Sequence, residues 1–237
     1  MYIMQAAGQQ PFSKSGPPAS RSRRARNSLS LGEIVGAAIE IVTEHGLQAL
    51  TIRSVANRLG ASPMAVYNYV ENRQALELAM LEAVTAGLPV EVEGTDALTR
   101  LTTRMHGLHD HMADYRWALQ LVTSGDLVPT NSFPFANACI GEFIELGLTP
   151  ADAIYSYGAC WHLVLGELLD RHPGPTRKLD GRTQREHALR DMDPEDHPHY
   201  VQVIDVLDPS EGPPPCQFSR TFGILLPGLI AAGLASS

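Results

Sequence analysis

Residues 51–73, TIRSVANRLGASPMAVYNYVENR, decide the fold of this chain. Thr51 stands where a helix needs a side-chain acceptor for its free amides, and Leu50 and Val55 flank it at the spacing of a hydrophobic staple. The helix that follows buries Val55, Ala56 and Leu59 and ends at Gly60, the residue that most cheaply takes the left-handed conformation. Ser62 caps a second helix, and Pro63 takes its first position, where a missing N–H costs nothing. Two helices meeting across three or four residues make a helix-turn-helix. In the second, Val66 and Val70 point inward. Met64, Ala65 and Asn68 lie three or four apart on the outer face, with no acidic residue and a low profile that base edges can approach. Tyr67, Tyr69 and Arg73 flank that face with donors suited to phosphates.

Working outward, Ser30-Leu31-Gly32-Glu33 forms a capping box, and Leu29 with Ile34 forms a staple. Ile34, Ala38, Ile41 and Val42 then repeat at helical spacing up to Gly46. These residues supply the apolar face on which the hairpin packs. Another helix is expected from about Asn72 to Gly87, with Leu76, Met80, Leu81 and Val84 buried and Leu88-Pro89 stopping it.

The run Leu50-Thr51-x-Arg53-x-x-Ala56-x-x-Leu59-Gly60, then Ser62-x-x-x-Val66-Tyr67-x-Tyr69-Val70, then Arg73-x-x-Leu76 resembles the DNA-binding domain of the TetR family of bacterial regulators. The resemblance covers roughly residues 30–80, with Val70 where the family also commonly has Phe. It implies an all-α, homodimeric regulator, usually a repressor that a small ligand releases from DNA. It also implies that helix 72–87 joins the DNA-binding domain to a ligand-binding domain, and that its angle sets the separation of the two reading heads. The segment HPHYVQVIDVL and the later FSRTFGILLPGLIAAGL resemble the end of one branch of the family, less specifically. By this reading Arg53, Met64, Ala65 and Asn68 face bases, while Thr51, Ser62, Tyr67, Tyr69 and Arg73 position the DNA backbone.

The formal charge of −8 over 237 residues argues against nucleic acid only until the chain is divided. Residues 1–80 carry eight Lys/Arg against five Asp/Glu; the remainder carries ten against 21. Salt screens charges beyond about 8–10 Å, so attraction to phosphates is local and the basic end is the one that matters. Residues 1–28 are rich in Gln, Ser, Pro and Gly and are expected to be a disordered arm. Arg21, Arg23, Arg24 and Arg26 suit either phosphate contact or a solubilising tail. No apolar segment there suits export, so a cytoplasmic location is expected.

The organisation expected is therefore a basic arm (1–28), a three-helix DNA-binding domain (29–73) with the linking helix 72–87, and a helical ligand-binding and dimerisation domain (88–237). Its helices are expected near 95–112, 116–124, 132–147, 150–171, 196–207 and 216–235, with Pro and Gly between them. The polar stretch 173–195 is expected to be a loop with at most a short helix at 183–191. Helix 216–235 is apolar nearly all round, and helix 150–171 adds Gly158, Ala159 and Gly166 for close approach. These two are the expected homodimer interface, a four-helix bundle about a two-fold axis. The uncharged run Phe222–Ala235 is 14 residues, short of the ~20 that span a bilayer, so no membrane is expected.

For an organic effector, His106, His109, Trp117, Phe135 and His162 are the candidate contacts, with Phe133, Phe143, Tyr155 and Trp161 as further apolar walls. Each is also an ordinary core or surface residue type. The imidazoles of MHGLHDHM suggest a divalent metal less well, because His109 and His111 do not share a helical face and no Cys falls among them. No metal or cofactor is expected. Cys139, Cys160 and Cys216 are odd in number and lack ligand spacing, so they read as reduced small hydrophobes. Nothing resembles a nucleophile elbow, a P-loop or a dinucleotide fingerprint. The competing class is a helical enzyme or binding protein whose hairpin is only structural.

Overall fold

The computed structural model describes residues 29–124, 127–170, 178–179, 182–183, 187, 190–193, 195–201 and 218–235. The basic arm, Cys216 and most of 173–195 lie outside the described residues. The first three helices are α1 (Leu31–His45), α2 (Ile52–Leu59) and α3 (Pro63–Tyr67). Both predicted staple positions and the three predicted caps, Ser30, Thr51 and Ser62, are in place. The Ser30 and Glu33 side chains exchange bonds with each other's amides, at 3.2 and 2.8 Å. The Thr51 hydroxyl accepts from the Ser54 amide at 2.9 Å, and Ser54 returns the bond to the Thr51 amide. Gly60 sits at φ +63°, in the left-handed region that ends α2 without a Cβ penalty.

Ile34, Ala38, Ile41, Val55, Ala56, Val66 and Val70 close over one core, with Leu59 half-buried at its rim. Arg58, which the sequence pattern leaves unassigned, ties the end of α2 to α1 by ion pairs with Glu40 and Glu44.

Helix α4 (Arg73–Thr85) is capped by Asn72 and leads out of this head. Then come α5 (Ala97–Asp114), α6 (Arg116–Ser124), a 3-10 turn at Thr130–Ser132, α7 (Phe133–Glu145) and α8 (Pro150–Asp170). A single turn, α9 (Pro198–Val201), precedes α10 (Phe218–Ala235). Helices α7 and α10 both pack on α8, and α5 lies against α7. The apolar core is continuous from Ile34 in the head to Leu226 in α10, running through Leu76, Met80 and Leu81 of α4.

Two differences from expectation have local causes. The loop expected at 173–195 contains a small antiparallel ladder, Lys178–Leu179 against Arg182–Thr183. Two residues a strand is too short for any alternation to register in sequence. The reading helix α3 stops at Tyr67. Asn68 is its C-cap, its amide donating to the Met64 carbonyl at 3.2 Å.

A buried ion network holds α5 to α7. Arg104 donates to Glu142 at 2.8 Å and to the Val90 carbonyl at 3.0 Å. Arg100 bridges Glu142 and Glu145 at 2.8 and 2.7 Å. Burial pushes the Glu142 carboxyl up, but hydrogen bonds from Arg100 and Arg104, with their charges, hold it below the usual carboxylate range. Cys139 and Cys160 are buried, and burial pushes both thiols up to about 12. They pack as hydrophobes and are poor nucleophiles.

Candidate nucleic-acid interface and effector region

The proposed reading surface is built on α2 and α3, each fixed from below by the head core. Met64 is 69% exposed although it is large and apolar, while its neighbour Val66 is fully buried. That contrast within one short helix is what a face held out toward a partner requires. Arg53, Tyr67, Asn68 and Tyr69 are exposed beside it and Ala65 is half-exposed. Residues 51–70 contain no acidic side chain. Asn57, one turn beyond Arg53 on α2, is exposed too. The sequence reading does not include it, although its i, i+4 spacing from Arg53 places it on the same face.

The backbone-positioning set divides. The Ser62 hydroxyl accepts from the Ala65 amide at 3.2 Å, which leaves its own O–H to donate outward. The Thr51 hydroxyl works inside its capping box, also donating to the Ser54 hydroxyl at 3.0 Å. Arg73 is engaged within the head: it donates to Glu77 at 2.8 Å and to the Leu47 carbonyl at 3.2 Å. Its guanidinium therefore fastens α4 to the head, and only the exposed remainder of the group is open to a phosphate.

The candidate effector residues do not form one set. His106 and His109 come together under the start of α10. His106 donates from Nδ1 to the Thr102 carbonyl at 2.8 Å, so its Nε2 accepts from Ser219, 3.0 Å away. His109 is buried, stacks on Phe218 with ring centres 4.6 Å apart, and has Glu167 Oε2 3.9 Å from its Nε2. Glu167 in turn accepts from the Phe218 amide at 3.1 Å. Glu167 and Phe218 are the partners that sequence reasoning missed, because they lie about 60 and 110 residues away in the chain.

Trp117 is buried on α6 against the Tyr115 ring, and its indole N–H finds no acceptor among the described residues. Phe135 is fully buried in α7. His162 is exposed on α8. Two of the further candidate walls are exposed within one chain. Phe133 is 55% and Tyr155 77% exposed, because each sits on the helix face turned from the core. Among the described residues no group of three or more His, Cys, Asp or Glu side chains gathers to hold a metal ion.

Comparisons with known proteins agree with this geometry. Residues 34–80 match the family model "Bacterial regulatory proteins, tetR family". Residues 89–223 match "Tetracyclin repressor-like, C-terminal domain". The tetracycline repressor protein class G of Vibrio anguillarum is 28% identical over 154 residues, 60% of this chain and 69% of that one. The HTH-type transcriptional repressor DrrR1 of Streptomyces coeruleorubidus is 38% identical over 141 residues, 56% of this chain and 50% of that one. The Streptomyces coelicolor TetR family protein ActR, solved in complex with actinorhodin, superposes with a TM-score of 0.71 at 20% identity. That match covers 89% of this chain and 100% of ActR, and it is a likeness of fold. The helical-enzyme alternative is not favoured. With one model matched by the reading head and the other by more than half of its length, the chain belongs to the TetR family of bacterial transcriptional regulators.

Proposed function

We propose that the protein is a cytoplasmic repressor that binds a palindromic operator as a homodimer and leaves it when a small organic effector binds residues 88–237. The observation that carries this reading is the α2–α3 face, exposed, free of acid and rigidly backed. Arg53 and Asn68 supply bidentate groups for guanine and adenine, and Met64 and Ala65 supply apolar contact for thymine methyls. Thr51, Ser62, Tyr67, Tyr69 and the exposed part of Arg73 hold the sugar–phosphate backbone.

Two such heads are needed to read successive grooves, and α8 and α10 supply the surface that brings them together. Helix α10 is long and apolar enough to cross a membrane by length and composition, yet only 22% of it is buried within one chain. Ile154 and Tyr155 on α8 and Ile224 and Leu234 on α10 are exposed. Among the described residues nothing lies within 4 Å of a Cβ placed on Gly158, Gly166, Gly223 or Gly228. A second copy laid across the two-fold axis covers all of these at once. A membrane explains α10 but not the bare glycines of α8.

The test is selection from random duplex DNA at moderate salt. Enrichment of a palindrome with half-sites about one helical turn apart is expected. A folded protein that enriches nothing, even after unfolding and refolding to shed any bound effector, refutes the reading. Tetracycline and actinorhodin, taken from the names of the relatives, are the first effectors to try against the selected duplex.

A further inference from the structure

A recognition helix presents its N-terminal residues to the base edges of the major groove. In α3 that first turn is Pro63, Met64 and Ala65, with Pro63 and Met64 exposed and Ala65 half-exposed. Pro63 has no N–H to offer. The Ala65 amide is taken by Ser62, through its hydroxyl at 3.2 Å and its carbonyl at 2.9 Å. The Met64 carbonyl accepts from the Asn68 amide at 3.2 Å. The Met64 side chain ends in a thioether and a methyl group, polarizable but with no donor and only a weak acceptor. Hydrogen-bonding side chains flank this tip without entering it: Ser62 before it, Tyr67, Asn68 and Tyr69 after it, and Arg53 on α2.

Such a tip tests a base edge for shape and apolar surface. Donors and acceptors, which distinguish most bases in the major groove, find no counterpart on it. The feature it can grip is the C5 methyl of thymine. The modified base 5-methylcytosine carries the same methyl at the same ring position. The two differ at the neighbouring C4, where thymine has a carbonyl acceptor and cytosine an amino donor. Met64 and Ala65 hold nothing that prefers one over the other, whereas an Asn or Arg in their place would separate them. Val66 and Val70, buried beneath, fix the height of the tip. A pyrimidine without the methyl therefore leaves a gap, and the contacts on that side are lost.

We propose that Met64, with Ala65 beside it, recognises the C5 methyl of a pyrimidine whatever its C4 substituent, so that the protein binds 5-methylcytosine as it binds thymine. A site with cytosine at that position then gains affinity when the cytosine is methylated. Modification of the DNA, with no change of base sequence, enlarges the set of sites bound.

The proposal rests on the operator-reading function, and its test separates the two. The operator selected by the wild-type protein is remade with each thymine in turn replaced by deoxyuridine, which removes the methyl alone. At least one position of each half-site should lose about fourfold in affinity, the contribution of one buried methyl. At that position the pairs T·A, U·A, 5-methyl-C·G and C·G are then compared. Affinity should sort by the methyl: T·A and 5-methyl-C·G within about twofold of each other, U·A and C·G each about fourfold weaker. Met64→Ala changes an exposed side chain outside the core and should abolish the methyl dependence while keeping the preferences read by Arg53 and Asn68. These outcomes are ratios between duplexes for one protein, so a change in stability does not imitate them. Affinity that sorts by base pair, with 5-methyl-C·G bound no better than C·G, overturns the proposal. So does an operator in which no deoxyuridine costs affinity, or a methyl dependence that is unchanged in Met64→Ala. A wild-type protein that selects no operator removes the functional reading itself, and this proposal with it.

Discussion

Asn68 closes α3 with its backbone and leaves its side chain exposed at the end of the reading face. Its amide has the paired donor and acceptor that adenine presents in the major groove. Asn68→Ala should therefore relax preference at one base position of each half-site and cost about 1–3 kcal/mol on the best site. Tyr67 has only a hydroxyl to offer, suited to a phosphate, so Tyr67→Phe should weaken binding to every sequence alike. Measuring both variants on a panel of single-base operator changes separates these roles. An equal loss at all positions for Asn68→Ala would refute its part in reading. Arg73 shows how far residue identity carries: its type suits phosphate, but Glu77 and Leu47 engage it first.

Between elements, the α5–α7 junction is held by charge inside apolar surroundings. Arg104 and Glu142 are both nearly inaccessible. Arg104→Met should cost about 3 kcal/mol, because it strips a donor from a carboxylate that stays buried. Replacing Arg104 by Met and Glu142 by Leu together should recover part of that loss. Because Glu142 is depressed below its ordinary value of 4.5, its contribution to stability is complete above that pH. It is lost as the pH falls through the folded value, where the carboxyl takes up a proton. Urea unfolding followed from pH 7 to pH 3 should show this acid step in the wild-type protein, and it should be smaller in Arg104→Met. An identical pH profile for the two proteins would mean that the network does not contribute in this way.

For the molecule as a whole, the space over Gly158 and Gly166, open among the described residues, has a consequence that one chain does not feel. Gly158→Arg meets no described neighbour within one chain but places a charged side chain on the face proposed to meet a second copy. It should yield a folded monomer by sedimentation, with operator affinity reduced about a hundredfold, because one head alone loses the second half-site. A variant that remains dimeric would move the interface away from α8. Binding by the intact dimer should also weaken steeply with salt. Phosphate contacts from the cationic side chains of residues 1–80 release counterions, and the acidic remainder of the chain adds none.

What the amino-acid sequence determined by itself was local. The caps at Ser30, Thr51 and Ser62, the left-handed Gly60 and the helical spacing of Ile34, Ala38 and Ile41 are decided by interactions within a few residues of each other. For that reason the helix-turn-helix head and the all-α class were legible in the sequence. Only the tertiary structure decided which distant groups meet. Glu82 finds Thr130 and Asn131 48 and 49 residues away, and Arg104 finds Glu142 38 away. It brought Phe218 and Glu167 to His109. A buried charge or a ring stack depends on which helix faces pack together, and that choice belongs to the whole core rather than to any single segment.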